Sequence, residues 1–168
     1  GGSLIRPEAT GYGLVYFCRE MLAARGTNFA GKRCLISGSG NVAQFAAEKV
    51  IELGGQVISF SDSGGFIIDE EGIDTAKLDF VMKLKNERRG RISEYTAQYP
   101  HATYVAADAS LDHNPLWDVK ADVALPSATQ NEINGRDAQN LVNNGCICVG
   151  EGANMPSTPD AVNLFLET

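Results

Sequence analysis

The residues of this sequence best suited to bind a phosphate group are Gly38-Ser39-Gly40-Asn41-Val42-Ala43. Glycine at the first and third positions lets the backbone turn tightly and approach an anion closely. A helix that starts immediately after such a turn directs its free N–H groups, with a partial positive charge, towards that anion. Ala43 stands where a third glycine is common, and its methyl group still permits close helix packing. The spacing is that of a dinucleotide-binding turn.

The elements on either side of the turn supply the context that this motif needs. Residues 33–37 predict a strand before it, and residues 56–61 predict a strand after the helix. Asp62 follows the second strand, where an acidic side chain can accept hydrogen bonds from an adenosine ribose. The alternative interpretation is that the glycines merely turn the chain. Apolar residues of the intervening helix recur at intervals of three and four, which predicts one buried face: Val42, Phe45, Ala46, Val50 and Leu53.

The composition indicates one globular domain. Of the 168 residues, 43% are hydrophobic and 21% are charged, which is ordinary for a globular protein. The formal net charge of −7 argues against a nucleic-acid-binding surface. The sequence contains neither an apolar run long enough to span a bilayer nor a signal-peptide pattern. We therefore expect a cytoplasmic protein with no nucleic-acid or membrane partner.

The four cysteines do not have the spacing of zinc ligands, and the two histidines lie far from them in sequence. We expect buried free thiols and no metal site. The cysteines are Cys18, Cys34, Cys146 and Cys148.

The rest of the pattern predicts an α/β fold of the Rossmann type, a doubly wound, mostly parallel sheet with helices on both faces. Residues 63–73 predict a short hairpin with an acidic turn, and Asp74 can cap the next helix. The first helix, which ends near Arg25, is expected to bury Leu14, Phe17, Cys18, Met21 and Leu22. Further predicted elements are a helix at 92–99, strands at 104–106, 121–125 and 146–149, a helix opened by Asn134 or Gly135, and a helix starting at Ser157.

A run of basic residues follows the helix that Asp74 begins. Two interpretations stay open for it. The cations can be a solvated helix end that suits the negative end of the helix dipole, or they can clamp an additional phosphate group. The run consists of Lys83, Lys85, Arg88, Arg89 and Arg91.

Four stretches together resemble the cofactor domain of hexameric, NADP-type glutamate dehydrogenases. They are GGSLIRPEATGYG (1–13), SGSGNVA (37–43), ALPSATQNE (124–132) and EGANMP (151–156). The resemblance covers the whole chain and implies that residues 1–168 are a dinucleotide-binding domain excised from a longer polypeptide. The family's substrate domain, with its catalytic lysine and aspartate, has no counterpart here.

The resemblance implies a parent homohexamer that interconverts L-glutamate with 2-oxoglutarate and ammonia by hydride transfer to a nicotinamide cofactor. Without the substrate domain, we expect this chain to bind the cofactor weakly and to have no turnover. By position, the resemblance places Thr10 at the nicotinamide carboxamide and Asn154 near the nicotinamide ribose. It places Ser39, Asn41 and Val42 at the pyrophosphate turn. Ala128 and Thr129 would lie beside the dinucleotide. A local helix cap for Thr10 and an Asx turn for Asn154 remain alternatives.

The choice between NADP and NAD depends on Asp62. A 2′-phosphate about 4 Å from its carboxylate would be repelled by roughly 1 kcal/mol in bulk water and about 4 kcal/mol at an effective dielectric constant of 20. Ser61, Ser63 and the basic run can offset this repulsion, with Arg88 as the first candidate. The resemblance favours NADP, so we expect NADP, with NAD as the alternative.

Two other functions remain open at this level. The chain can be the cofactor domain of a leucine-, phenylalanine- or valine-type dehydrogenase, which shares this plan, or a non-catalytic dinucleotide-binding regulatory module. The length of the segment from Asp62 to Pro100 favours the glutamate group.

Overall fold

In the computed structural model, residues 7–128 and 132–150 are described, and their strands form two separate sheets. The strands are β1 (Arg33–Ile36), β2 (Gln56–Val57), β3 (Ser59–Asp62), β4 (Gly65–Ile68), β5 (Thr103–Ala106), β6 (Val123–Leu125) and β7 (Cys148–Val149). The α-helices are α1 (Pro7–Ala24), α2 (Asn41–Glu52), α3 (Thr75–Met82), α4 (Tyr95–Gln98) and α5 (Gly135–Asn143). A π-helical turn at Lys83–Glu87 and 3₁₀ turns at Ile92–Glu94 and Pro115–Asp118 also occur.

The first sheet is parallel and has the strand order β2-β1-β6-β7. β1 pairs with β2 on one side and with β6 on the other, and β6 pairs with β7. The chain therefore winds outwards from β1 in both directions. Because parallel crossovers are right-handed, α2 and α5, which make the two outward connections, lie on opposite faces of the sheet. This arrangement confirms the predicted doubly wound α/β fold.

The predicted second strand, residues 56–61, is divided between the two sheets. Only its first two residues pair with β1, and after Ile58 the chain enters β3, which pairs with β4 instead. The side chain of Ser59 replaces the lost backbone pairing. Its Oγ accepts a hydrogen bond from Ile36 N (2.8 Å) and donates one to Ile36 O (2.9 Å). β3 therefore stays beside β1 without joining the parallel sheet.

The second sheet is antiparallel and has the order β3-β4-β5. The hairpin of β3 and β4 turns at Ser63 and Gly64, so the acidic segment that follows β4 is not its turn. The predicted strand at 104–106 is present as part of β5, but it pairs with β4 in this antiparallel sheet. A short apolar run has the same appearance in either kind of sheet.

α1 packs mainly against α2, and its buried face is narrower than the sequence pattern suggested. Leu14, Cys18 and Leu22 are buried as predicted, whereas Phe17 is 52% exposed and Met21 is 47% exposed. The prediction for these last two residues is wrong, because neighbouring residues of a helix point about 100° apart. A stripe that included them would need packing partners on a second side of the helix.

The other predicted helices begin where the sequence indicated. Asp74 caps α3, and its carboxylate accepts a hydrogen bond from the third helical N–H at 2.9 Å. Asn134 caps α5 in the same way at 2.8 Å. The helix expected at 92–99 is a 3₁₀ turn that continues into α4. The helix predicted from Ser157 lies outside the described residues.

All four cysteines are free thiols, as predicted. Three of them are buried and Cys146 is half-buried. Burial raises the pKa of the Cys146 thiol to about 12. This thiol therefore remains protonated at neutral pH, which makes it a poor nucleophile.

The single tryptophan of the sequence, Trp117, belongs to one of two apolar cores. It is fully buried, in the same cluster as Leu35, Ile58 and Phe66. Its indole Nε1 finds no hydrogen-bond acceptor among the described residues. An unsatisfied buried donor costs about 1–3 kcal/mol, so the packing of this core must offset that cost.

A fully buried carboxylate, Asp69, joins several elements at the end of β4. It accepts hydrogen bonds from the Tyr95 hydroxyl (2.6 Å) and from Lys77 Nζ (3.0 Å), and it lies 3.0 Å from His101 Nε2. Burial by itself raises the pKa of this carboxyl, but the hydrogen bonds from these three side chains lower it, and the net shift is downward. Asp69 is therefore ionised at neutral pH and holds α3 and α4 against β4.

Replacing Asp69 by alanine should lower the free energy of unfolding by about 3 kcal/mol or more, because Lys77 and Tyr95 would lose their buried acceptor. Urea unfolding followed by circular dichroism measures this difference. The control is Asp79→Ala, which breaks a surface pair with Lys83 (3.0 Å) whose two side chains are more than half exposed. That change should cost less than about 1 kcal/mol. Equal losses in the two variants would contradict the anchoring role.

The contribution of Asp69 should also disappear in acid. An aspartate in the unfolded chain has a pKa of about 3.9, and the pKa of Asp69 in the folded chain is lower than its ordinary value. The stabilisation is therefore complete above the unfolded pKa and is lost as the pH falls through the folded pKa. The difference in unfolding free energy between wild type and Asp69→Ala, measured in urea, should shrink as the pH falls below about 4. A difference that persists in acid would argue against an ionised Asp69.

Candidate functional site

The glycine turn lies between the carboxyl end of β1 and the start of α2. Gly38 has a φ of +80°, in the left-handed region that glycine adopts without strain. Its N–H donates to Ser61 Oγ at 2.7 Å, and its carbonyl accepts from Ser61 N at 3.0 Å, which fixes the turn to β3. Gly40 is the N-cap residue of α2 and has no side chain with which to bond the first helical N–H groups. The start of α2 is therefore suited to an anion.

The segment after β6 lies directly against this turn. Ser127 N donates to Ser37 Oγ at 3.0 Å, which joins the ends of β6 and β1. A Cβ atom at Gly38 would lie 3.0 Å from the Ser127 carbonyl oxygen and 3.2 Å from the Cα atom of Ala128. The structure thus brings Ala128 to the glycine turn, and its contact with a cofactor stays a prediction. Thr129 lies outside the described residues.

Gly11, the residue after Thr10, lies against the first two turns of α2. A Cβ atom at Gly11 would lie 2.8 Å from Val42 O and 2.9 Å from Ala46 N, closer than real Cβ atoms approach. The backbones of α1 and α2 therefore touch at this point, and only glycine fits. Thr10 is half-buried beside this contact. Asn154, the other residue predicted near the nicotinamide, lies outside the described residues.

The carboxylate of Asp62 is occupied by donors from the protein itself. Its Oδ1 accepts hydrogen bonds from Gly64 N (2.9 Å) and Arg91 Nη2 (3.4 Å). Its Oδ2 accepts hydrogen bonds from Ile92 N (2.7 Å) and Lys85 Nζ (3.2 Å). A carboxylate offers about four lone-pair positions, and four donors take them here. The carboxylate is therefore bonded within the chain, and its contact with a cofactor stays a prediction.

These donors keep Asp62 ionised. Burial by itself raises the pKa of the carboxyl, but hydrogen bonds from the N–H groups of Ile92 and Gly64 and from Lys85 lower it, and the net pKa lies below its ordinary value. At neutral pH, Asp62 carries one negative charge, and Lys85 and Arg91 carry two positive charges. The cluster of these three side chains therefore has a net charge of +1.

Two members of the basic run, Lys85 and Arg91, thus lie at the end of β3, and Ser63 lies with them. Arg91 Nη2 donates a hydrogen bond to Ser63 Oγ at 2.8 Å. Arg88, the basic residue singled out from the sequence, instead places its guanidinium over the ring of Phe80, 5.4 Å from the ring centre. The structure therefore separates Lys85 and Arg91 from Arg88.

The backbone after α3 explains which cations face Asp62. The turn Lys83–Glu87 is π-helical, and π-helical turns are frequent at functional sites. Arg89 then adopts a φ of +51°, which is uncommon for a residue other than glycine. The chain reverses here, and Glu94 Oε2 accepts a hydrogen bond from Arg91 N at 2.9 Å. This reversal carries the Arg91 guanidinium back to Asp62.

A cavity of about 240 Å³ opens beside Asp62. The ends of β3, β4 and β5 and the connection that follows β5 form its walls, with Phe66 and His113 among the lining residues. His113 lies between two carboxylates, 2.8 Å from Asp112 Oδ1 and 3.1 Å from Asp118 Oδ2, which raise its pKa. A small, partly apolar space of this kind is suited to a planar base.

Neither the cavity nor the donors that occupy Asp62 could be identified from the sequence. Lys85 and Arg91 were two of five cations with no feature to distinguish them. One signal was available, since Gly90 interrupts the basic run and a glycine there is typical of a chain reversal. The walls of the cavity come from segments that are far apart in the sequence, and no local pattern joins them.

Backbone N–H groups at the glycine turn and two cations at the end of β3 lie on this side of the molecule, and both are ligands for anions. Within residues 7–128 and 132–150, no cluster of three or more His, Cys, Asp or Glu side chains is arranged to hold a metal ion. In the same part of the chain, no helix is long and apolar enough to cross a membrane.

Comparison with known proteins finds relatives along the whole chain. The family model of glutamate/leucine/phenylalanine/valine dehydrogenases matches residues 1–168. A glutamate dehydrogenase of Bacteroides thetaiotaomicron is 61% identical over 165 residues, which are 98% of this chain and 36% of that protein. The names of further relatives specify NADP, NAD or either cofactor. The chain thus spans little more than a third of the length of the curated relatives it matches.

Two glutamate dehydrogenases are among the solved structures that share this fold. Glutamate dehydrogenase 2 of Plasmodium falciparum has a TM-score of 0.88 at 43% identity, and the match covers 99% of this chain and 35% of that one. A hetero-hexameric glutamate dehydrogenase of Thermus thermophilus has a TM-score of 0.68 at 25% identity, and the match covers 99% and 35% of the two chains.

Replacing Gly38 by alanine should strain the glycine turn. A left-handed backbone costs an L-residue about 1–2 kcal/mol, and the new methyl group would meet the backbone of Ser127 and Ala128 at 3.0–3.2 Å. We expect the free energy of unfolding, measured in urea, to fall by about 2 kcal/mol.

The control for this change is Gly40→Ala in the same turn. A Cβ atom at Gly40 meets no described heavy atom within 4 Å. Its cost should stay below about 1 kcal/mol, the cost of a poorer N-cap residue. Similar losses at both positions would show that the backbone of Gly38 is not the constraint.

Proposed function

Because this chain belongs to the glutamate/leucine/phenylalanine/valine dehydrogenase family, we propose that it is the NADP-binding domain of a glutamate dehydrogenase. The names of its relatives support this substrate class. The match to only 36% of the Bacteroides thetaiotaomicron protein supports a domain that is part of a longer polypeptide. In this proposal residues 1–168 bind and orient the dinucleotide, and a separate substrate domain supplies the catalytic groups.

The pyrophosphate would be bound at the start of α2. The exposed tip of the turn, Gly40 and Asn41, leads into the first N–H groups of that helix, and Ser39 is buried behind it. The N–H groups at the start of α2 act together with the positive end of the helix dipole, which is equivalent to about half a unit charge. Since Val42 lies in the first turn of α2, its N–H is one of the donors available there.

The observation that carries the preference for NADP is the occupied carboxylate of Asp62. To bind the ribose of NAD, an acid at this position needs free lone pairs, and here they are taken by four protein donors. Arg91, whose side chain is 55% exposed, lies at the same place. A guanidinium can bind a phosphate with two parallel hydrogen bonds. Ser63 Oγ lies beside it as a further polar contact.

Electrostatics supports the same choice. A unit charge pair at about 4 Å is worth about 4 kcal/mol at an effective dielectric constant of 20. Repulsion of a 2′-phosphate by Asp62 alone would therefore be substantial. With Lys85 and Arg91 bonded to the carboxylate, the three side chains together attract the phosphate. The electrostatic interaction with the 2′-phosphate is thus attractive, whereas Asp62 alone would make it repulsive.

The rest of the dinucleotide would extend to either side of the turn. The adenine ring would enter the cavity beside Asp62. The nicotinamide would lie in the opposite direction, towards Thr10, Ala128, Thr129 and Asn154, which the resemblance assigns to that part of the cofactor. The close packing of Ala128 against Gly38 supports this direction. In this arrangement the segments before β1, after β1 and after β6 all contact one ligand.

The polypeptide as a whole would interconvert L-glutamate with 2-oxoglutarate and ammonia, with the nicotinamide as hydride carrier. We place it in the cytoplasm, as a homohexamer. A related assembly occurs in the Thermus thermophilus protein, which its structure describes as hetero-hexameric. The residues of this chain would hold and orient the cofactor, and they would not take part in proton transfer.

Titration calorimetry should show that the chain binds NADP more tightly than NAD. Arg91→Ala should raise the dissociation constant for NADP about tenfold, equivalent to about 1.4 kcal/mol, with little change for NAD. Arg88→Ala should have a small effect, because its guanidinium lies over Phe80. The control is Lys83→Ala, which removes the same charge from a side chain paired with Asp79. Unchanged NADP affinity in the double variant Arg88→Ala/Arg91→Ala would show that the 2′-phosphate does not bind to this segment.

The purified chain should not oxidise glutamate by itself. The catalytic lysine and aspartate implied by the resemblance belong to the substrate domain, so bound NADP has no reacting partner here. With L-glutamate and NADP present, the rate of NADPH formation, followed by absorbance, should equal that of a control without protein. A rate above this control would show that the chain carries catalytic groups of its own.

A further inference from the structure

Two side-chain amides connect the glycine turn to the basic segment. Gln44 of α2 is only 2% exposed, and its Nε2 donates to the Ser39 carbonyl (2.8 Å) and to Asn86 Oδ1 (3.2 Å). Asn86 Nδ2 donates in return to Gln44 Oε1 at 3.0 Å. The two amides thus bond each other in both directions, and one of them also holds the backbone of the turn. We call this pair the amide bridge.

The two ends of the amide bridge lie at the two proposed phosphate positions. Ser39 stands between the two glycines of the turn that would bind the pyrophosphate. At the other end, Asn86 directly follows Lys85 in the π-helical turn, and Lys85 Nζ bonds Asp62 at 3.2 Å. The bridge is a direct side-chain connection between the start of α2 and this turn, whose residues are 42 positions apart in the sequence.

We propose that Gln44 and Asn86 are positioning residues that set the distance between the pyrophosphate site and the 2′-phosphate site, and so determine the preference for NADP. This inference rests on the proposed function. A ligand with both phosphates must meet both sites at once, and its affinity depends on how well their spacing matches. A ligand that meets only one site is insensitive to that spacing.

The chemistry of the bridge suits this role. Amide groups carry no net charge, so they neither repel nor neutralise the phosphates that bind on either side. The reciprocal pair fixes distance and orientation together, whereas a single hydrogen bond would leave rotation free. Asn86 is exposed outside the pair. Its side chain can therefore be removed without leaving a cavity in the apolar core.

The test compares three ligands by titration calorimetry, in wild type and Asn86→Ala. NADP carries both phosphate groups, NAD lacks the 2′-phosphate, and 2′-AMP lacks the pyrophosphate. The dissociation constant for NADP should rise about fivefold in Asn86→Ala, because the two sites are no longer held in register. The constants for NAD and 2′-AMP should change by less than about twofold.

A matched control and a double variant separate positioning from folding. Asn143→Ala breaks an amide contact of the same kind, with Gln139 at 3.0 Å on the exposed face of α5. It should leave all three affinities unchanged. Gln44→Ala should lower the affinity for NADP at least as much as Asn86→Ala does. The double variant should lower it no more than Gln44→Ala does, because the same amide bridge is removed in each case. If Gln44→Ala fails to fold, Asn86→Ala alone still decides the question.

Two results would overturn the positioning role. One is an equal loss of NADP and NAD affinity in Asn86→Ala, and the other is unchanged affinity for both. If Arg91→Ala selectively lost NADP affinity and Asn86→Ala did not, the positioning role of the amide bridge would be wrong. The proposed function would still stand. A wild-type chain that binds neither dinucleotide would overturn both.

Discussion

The architecture depends on the way the chain leaves the parallel sheet at Ile58. Beyond this residue the backbone no longer pairs with β1, and the hydroxyl groups of Ser59 and Ser61 take its place. A hydroxyl can donate and accept at once, so Ser59 satisfies both groups of Ile36. β3 is then free to pair with β4, and its end remains bound to Gly38. The proposed sites for pyrophosphate and adenosine are neighbours for this reason.

The same junction gives Asp62 a structural task. Lys85 and Arg91 are like charges that would repel each other across a small distance, and the carboxylate between them removes that repulsion. The backbone N–H groups of Gly64 and Ile92 fix the carboxylate in turn. In the proposed binding mode, the acid is therefore an internal counter-ion that presents cations to the ligand. The role of an acid at this point of a Rossmann unit, as a ribose acceptor or as a counter-ion, therefore depends on residues about thirty positions further along the chain.

Features encoded by neighbouring residues were predictable from the sequence. The glycine turn, the caps of α3 and α5 and most strands follow from local chemistry, and the structure places them close to the predicted residues. The division of residues 56–61 was not predictable, because a continuous apolar run is compatible with either sheet and the partner strand decides between them. That Arg91 rather than Arg88 lies at Asp62 follows from the backbone of Arg89, for which Gly90 was the one sequence signal. The roles of Thr129 and Asn154 stay predictions.

The burial of the single tryptophan also has a spectroscopic meaning. Trp117 is enclosed by apolar side chains, and its indole N–H meets no acceptor among the described residues. An indole in such surroundings emits at shorter wavelengths than one in water. Its core includes Phe66, which also lines the cavity beside Asp62. The emission colour of this one tryptophan therefore reports whether water has entered the core beside that cavity.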